Sequence, residues 1–250
     1  MSGRARRILF LAQIALCVLL VAAVLIPVFL SSMPWPLSAR DYLQANGLAE
    51  SGASNLVSAI YLGYRAFDTL GETIVLLVAI SGTIAIIAHG GAVLAQGYGL
   101  PSGTASEPAR HLPPKTRTEL LEVVTGKLGP VVLVFGVYVM MYGHLSPGGG
   151  FQGGVVIASG IVFLALGSRV DASNSLTSPE NLVRIESAAF ALLLLAASSG
   201  IISGSGFFGN PLAGAGLTPV AFIITLNAII GLKVGAGLGF MCIAMLGRGK

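Results

Sequence analysis

Gly143-His144-Leu145-Ser146-Pro147-Gly148-Gly149-Gly150-Phe151-Gln152-Gly153-Gly154 stands between two apolar runs, each long enough to span a bilayer. Pro147 with Gly148, Gly149 and Gly150 breaks a helix, and glycine without a Cβ allows positive φ and close backbone approach. His144 and Gln152 flank the turn, beside the backbone N–H groups that open the next helix. The stretch reads as a reversal between two membrane helices, with further membrane helices on either side.

Of 250 residues, 54% are hydrophobic and 10% charged, against roughly a quarter charged in soluble domains. That balance sets the fold class: an all-α integral membrane protein with about six transmembrane helices. The 34 glycines fit closely packed membrane helices. Cys17 and Cys242 lie inside apolar runs as small hydrophobes, without redox or metal spacing. The sequence holds no phosphate loop, HExxH helix, nucleophile elbow or cysteine cluster. No cofactor, metal or nucleic-acid partner is expected, and the chain is not expected to be an enzyme by itself.

The first apolar run covers 8–30 behind Arg4, Arg6 and Arg7, and is too long for a signal-peptide core. Met33-Pro34-Trp35-Pro36 breaks it and supplies an interfacial tryptophan. Residues 37–55 are polar and loop-like. Leu56, Ile60, Tyr64 and Phe67 recur at helical spacing and predict a short amphipathic helix on the membrane surface. The second span runs from Asp68 to about Ala95, and 96–118, rich in Gly, Pro, Ser and basic residues, forms an extra-membrane linker. The other spans cover about 119–142, 151–168, 185–203 and 220–246, with a polar loop over 169–184 and a Gly-rich one over 204–219. This gives a two-helix membrane segment (1–100), a cytoplasmic linker (101–117) and a four-helix membrane domain (118–250).

Six spans put both termini on one side. Arg4, Arg6, Arg7, Arg110, Lys115, Arg117, Lys127, Arg169, Arg184, Arg248 and Lys250 fall on that side, Arg40 and Arg65 opposite, and Lys233 within a span. Lys and Arg in short loops favour the cytoplasm, so both termini are predicted to be cytoplasmic in a multi-pass protein of a prokaryotic inner membrane.

An ionisable side chain inside a span costs at least about 2.5–3.5 kcal/mol on insertion scales, and needs a reason. Lys233 lies about 13 residues into the last span, roughly 20 Å at 1.5 Å per residue, near the bilayer middle. Gly231, Gly235 and Gly239 around it have small-xxx-small spacing, which predicts close approach of another helix there. Lys233 reads as a relay in a proton or cation path, or as a buried lysine paired with a partner chain's carboxylate. No carboxylate of its own chain falls at matching depth, so the counter-charge is expected from a neighbour. Glu72 reads as a carboxylate near a cation path, or as the end of a Thr69-x-x-Glu72 capping box. Asp68 is either beside that path or simply the i, i+3 partner of Arg65. His89, near the cytoplasmic end of the second span, and His144, beside the turn, pass protons or are plain interfacial histidines. Glu119 and Glu122 fit helix-dipole complementarity at the start of the third span.

Residues from about 115 to 250, with the Gly-His-x-x-Pro-Gly-Gly-Gly-Phe-x-Gly-Gly pattern of Gly143–Gly154, resemble the MnhB/MrpB-like subunit of the multisubunit Mrp-type sodium/proton antiporter. The equivalent subunit of archaeal membrane-bound hydrogenases and sulfane reductases shares that signature. The Gly231–Gly239 run with Lys233 fits the family's last helix. Tyr64-Arg65-Ala66-Phe67-Asp68-Thr69-Leu70-Gly71-Glu72 resembles the Arg-x-x-Asp-Thr-x-Gly-Glu stretch of a small two-helix subunit, itself equivalent to the C-terminal end of the large antiporter subunit. The resemblance implies a fusion of two pieces and Na+/H+ exchange by a whole assembly of partner subunits in the bilayer. It carries over Asp68 and Glu72 from one motif, and His144 with the Gly148–Gly150 turn from the other. Beside an ion-path subunit stand two alternatives: a glycine-rich scaffold that docks larger subunits, and the antiporter-like module of a redox complex such as a hydrogenase.

Overall fold

The computed structural model describes residues 3–30, 37–97, 119–167 and 177–246. The chain forms two compact units, residues 1–41 and 42–250. The first holds α1 (Gly3–Leu30), an apolar helix with Pro27 in its last turn. The expected break at 31–36 with Trp35 lies outside the described residues, as does 98–118 with His111.

The polar stretch expected to be a loop is largely helical: α2 runs over Ser38–Ser51, with Asp41 in its first turn. Its Ala, Leu, Gln, Arg and Glu residues are good helix formers, and Asp41 complements the helix dipole, so propensity wins over polarity here. Gly52, at φ 71°, ends it. Asn55 then caps α3 (Leu56–Ser58), its side-chain oxygen accepting from the Val57 N–H, and α3 widens into a π-helical turn at Ala59–Tyr64. The amphipathic helix expected through Phe67 is therefore cut at Arg65. The wider turn also shifts its inward face: Ser58, Ala59 and Leu62 are buried, while Phe67, from the expected stripe, is 67% exposed.

Among the described residues, five helices are long and apolar enough to cross a membrane: α4 (Ala66–Gly97), α5 (Glu119–Met141), α6 (Gly150–Gly167), α7 (Pro179–Ile202) and α8 (Pro219–Met245). The fold is all-α, with no strand among the described residues, as composition and periodicity predict. The polar loop expected up to Arg184 is shorter than read. Pro179 follows an extended Ser178 and starts α7, with Glu180 in the first turn. Proline has no N–H to leave unpaired there and its φ suits a helix start.

Helix α8 is the axis of this unit. Half of its apolar window is buried, against 17% for α4, and α4, α6 and α7 all pack on it. Leu226, Ile230 and Val234 of α8 share one buried cluster with Leu62, Leu70, Leu193 and Ala197. Glycines set how closely the spans approach. A Cβ on Gly231 would stand 3.1 Å from the Gly150 carbonyl oxygen, and one on Gly235 3.2 Å from that of Gly154. In the same way a Cβ on Gly136 of α5 would meet the Gly153 carbonyl oxygen of α6 at 3.2 Å. Small residues thus let backbones meet where hydrophobic collapse alone gives no drive between helices in lipid.

Candidate functional site: a clamped glycine turn and a buried lysine

Two asparagines from distant parts of the chain hold the turn between α5 and α6. Asn227 of α8 accepts the Gly150 N–H on Oδ1 at 2.6 Å and so caps α6. Asn55 works from the other side: its Nδ2 donates to the carbonyls of Gly143 at 2.7 Å and Ser146 at 2.9 Å, and its N–H to that of His144 at 3.0 Å. Gly149, at φ 141°, lies where a Cβ would come 3.1 Å from Asn227 Oδ1, so glycine keeps this clamp closed.

Beside the turn lies a cavity of about 660 Å³, walled by Gly148–Gln152, by Ser58, Tyr61 and Leu62, by Glu72, Val75, Leu76 and Ala79 of α4, and by Asn227 and Ile230. Glu72 thus joins the glycine turn. The capping box expected for it does not form, because α4 already begins at Ala66 and the Thr69 hydroxyl donates to the Tyr61 carbonyl at 2.9 Å. Asp68 is bound instead to Arg65, at 2.6 Å between Oδ2 and Nη2, with both side chains substantially exposed. His144 Nδ1 lies 3.1 Å from the Met141 carbonyl and its ring stacks on Tyr142, so it stays outside the cavity lining. Pro147 is exposed at the turn. His89 falls on α4 at a position whose side chain lies outside the described residues.

Lys233 is fully buried, and its surroundings correct two expectations. Its Nζ donates to the Thr73 carbonyl of α4 at 2.9 Å and lies 3.6 Å from Glu186 Oε1 of α7. The counter-charge therefore comes from the same chain, from a glutamate that is itself 6% exposed. It escaped the reading by depth because α7 starts at Pro179 and not near Ile185, which sets Glu186 two turns inside the span. Nor does the Gly231–Gly235–Gly239 stripe bring a helix onto the lysine. That stripe faces α6, and two residues along a helix turn the side chain by about 200°, so Lys233 faces α4 and α7. Gly237 makes the room: a Cβ there would stand 2.7 Å from Glu186 Oε1 and 2.7 Å from Ile80 Cδ1. Adjacent residues of α4 serve the two places, Glu72 the cavity and Thr73 the lysine.

Glu186, Thr73, Asn55, Asn227 and Ser58 were not singled out in the sequence. Ser178-Pro179-Glu180 was the available signal for Glu186, since a proline after a capping residue marks a helix start. Asn227 was visible as an amide within an apolar span. The partners of Asn55 are non-local, and no spacing announces them.

Polar and charged groups enclosed by apolar spans around a glycine reversal define a polytopic membrane protein with its polar machinery inside the helix bundle. Among the described residues no cluster of side chains suits a metal ion. Residues 120–240 match the family model described as a domain related to the MnhB subunit of Na+/H+ antiporter. The matched residues, just under half of the chain, take in α6 with the clamped turn, α7 and most of α5 and α8. It is 29% identical over 205 residues to an uncharacterized protein of Methanocaldococcus jannaschii, across 74% of each chain. It is 37% identical over 97 residues to the B-type component of the Na(+)/H(+) antiporter of Bacillus subtilis (strain 168), covering 39% of this chain and 64% of that relative, just under two thirds of its length. A chain of the membrane-bound sulfane sulfur reductase, an archaeal respiratory membrane complex, superposes with a TM-score of 0.63 at 25% identity, over 95% of this chain and 98% of that one.

Proposed function

We propose that this chain is a membrane subunit of a multisubunit cation/proton antiporter module, and that Lys233, Glu186 and Glu72 contribute to its Na+ or H+ path. The observation that carries the reading is the Lys233–Glu186 pair. Both groups are withdrawn from water between apolar spans, and intramembrane ionisable residues mark ion and proton paths by default. The pair is loose: Lys233 binds the Thr73 carbonyl more closely than the carboxylate, and Glu186 Oε1 has no hydrogen bond in the chain. A pair kept only for structure is expected to be tight and fully satisfied, because buried charges otherwise lose more by desolvation than they gain. Glu72 at the cavity wall offers the next carboxylate. In this reading Asp68 and His144 stand near the outer entrance, each held by a local partner, and His89 stands toward the cytoplasmic end of α4.

The test replaces each group by a neutral one of similar size, Lys233→Met, Glu186→Gln and Glu72→Gln, in the complete assembly. Cation-driven proton exchange in everted vesicles is expected to be lost while the assembly still purifies whole. Exchange that persists in all three would remove the path assignment. It would leave a scaffold, a reading favoured by the glycine stripe of α8 and by the lysine's bond to an α4 carbonyl.

A further inference from the structure

We infer that the cavity beside the glycine turn is a hydrated chamber, holding ordered water between Glu72 and Asn227. Two side chains in its wall carry polar atoms with no hydrogen-bond partner in the chain: Asn227, 3% exposed, through Nδ2, and Ser58, 5% exposed, through Oγ. Asn227 cannot turn its amide around to satisfy itself, because Oδ1 is committed to the Gly150 N–H. Its Nδ2 therefore needs an acceptor that the chain does not supply, and the chamber that Asn227 lines is the adjoining space. An acyl chain or an apolar side chain in the chamber would leave both groups unanswered. Water answers both: it accepts from Asn227, exchanges either role with Ser58, and donates to the Glu72 carboxylate across the chamber. The space of about 660 Å³ admits several such molecules. A bare cation is the poorer occupant, since the amide and the first N–H groups of α6 are donors and present positive potential. Hydration of the chamber goes beyond the antiporter reading. Only its use, as an aqueous contact for Glu72, rests on that reading.

Radiolytic hydroxyl labelling of the purified whole assembly in lipid nanodiscs tests this, because it oxidises side chains that touch bound water. Leu62 and Leu193 are buried leucines of one core cluster with equal intrinsic reactivity, but Leu62 also lines the chamber and Leu193 does not. Leu62 is expected to label at least about ten-fold faster than Leu193, since an apolar core excludes water that a polar chamber holds. Ser58→Ala is expected to slow Leu62 labelling, and Ala79→Phe, which fills the chamber from α4 away from the clamp, to bring it to the level of Leu193. Equal rates for the two leucines in the native assembly would overturn the proposal. So would rates unchanged by both substitutions, or a density map with a partner's side chain filling the chamber. The readout needs no ion movement. A dry chamber with exchange intact therefore sinks this inference alone, and a labelled Leu62 with exchange surviving Lys233→Met, Glu186→Gln and Glu72→Gln sinks only the path reading.

Discussion

At Gly237 a single hydrogen decides whether Glu186 reaches Lys233. A methyl group there would stand 2.7 Å from both the carboxylate oxygen and Ile80 Cδ1. Alanine is intrinsically the better helix former, by up to about 1 kcal/mol, but overpacking a close-fitted interior costs about 1–3 kcal/mol. The clash wins. Gly237→Ala is therefore expected to lower the melting temperature of the solubilised protein, and Ile80→Ala in the same chain, which clears one side of the clash and keeps the lysine's counter-charge, to recover part of the loss. Asn227 gives a second contrast. Asn227→Leu leaves the buried Gly150 N–H without an acceptor, a loss of about 1–3 kcal/mol, whereas Asn227→Asp keeps the acceptor and is expected to melt near the native protein. The lysine was legible because a charge inside an apolar run stands out against its neighbours. Its partner was not, because an error of two turns in the start of α7 put Glu186 at the surface in the reading by depth.

The helices themselves were readable where hydrophobicity carried them, and misread where propensity or a register shift did. Spans α4 to α8 follow from length and apolarity. Helix α2 is polar and its composition reads as a loop, and the π turn at Ala59–Tyr64 destroys the period on which an amphipathic helix depends. What joins these two misread pieces is Glu50. Its carboxylate accepts from Tyr64 at 2.5 Å and from Tyr42 at 2.7 Å. The Tyr64 and Tyr42 hydroxyls hold the Glu50 carboxyl below its usual range, and the bond to Glu50 pushes Tyr64 up to about 12. For Glu50, whose value falls on folding, the stabilisation is present above the ordinary carboxylate range and lost as pH drops through the lowered value. For Tyr64, whose value rises, it is present below the ordinary tyrosine value of 10 and lost as pH climbs from there toward 12. An absorbance titration of phenolate is expected to show a Tyr64 midpoint near 12. In Glu50→Gln its midpoint moves back toward 10. A midpoint unmoved by that change would mean the link between α2 and the π turn does not form in solution.

For the molecule as a whole, orientation in the bilayer and the cover on its sides set how the site is reached. Val75, Val78 and Ile86 of α4 are 69%, 65% and 73% exposed, a face suited to lipid or to neighbouring subunits. Antiporter subunits co-purifying with the chain in mild detergent would support a stand-alone exchanger, and nickel, iron or flavin subunits a redox-driven complex. Orientation follows from charge. Eleven of the 14 basic residues lie on the predicted terminal side of the spans and two, Arg40 and Arg65, opposite. Short-loop Lys and Arg stay cytoplasmic, so the glycine turn is expected outside and the termini inside. The start of α7 at Pro179 does not disturb this, because Arg184 remains exposed in its second turn at the same end. Cysteine accessibility measures it. In a Cys17→Ser, Cys242→Ser background, Leu145→Cys in the turn, 55% exposed, is expected to react with a membrane-impermeant maleimide in intact cells. Gly249→Cys is expected to react only after permeabilisation. The reverse pattern would turn the cavity and Glu72 toward the cytoplasm, and any cation reaching Lys233 by way of Glu72 would then enter from inside.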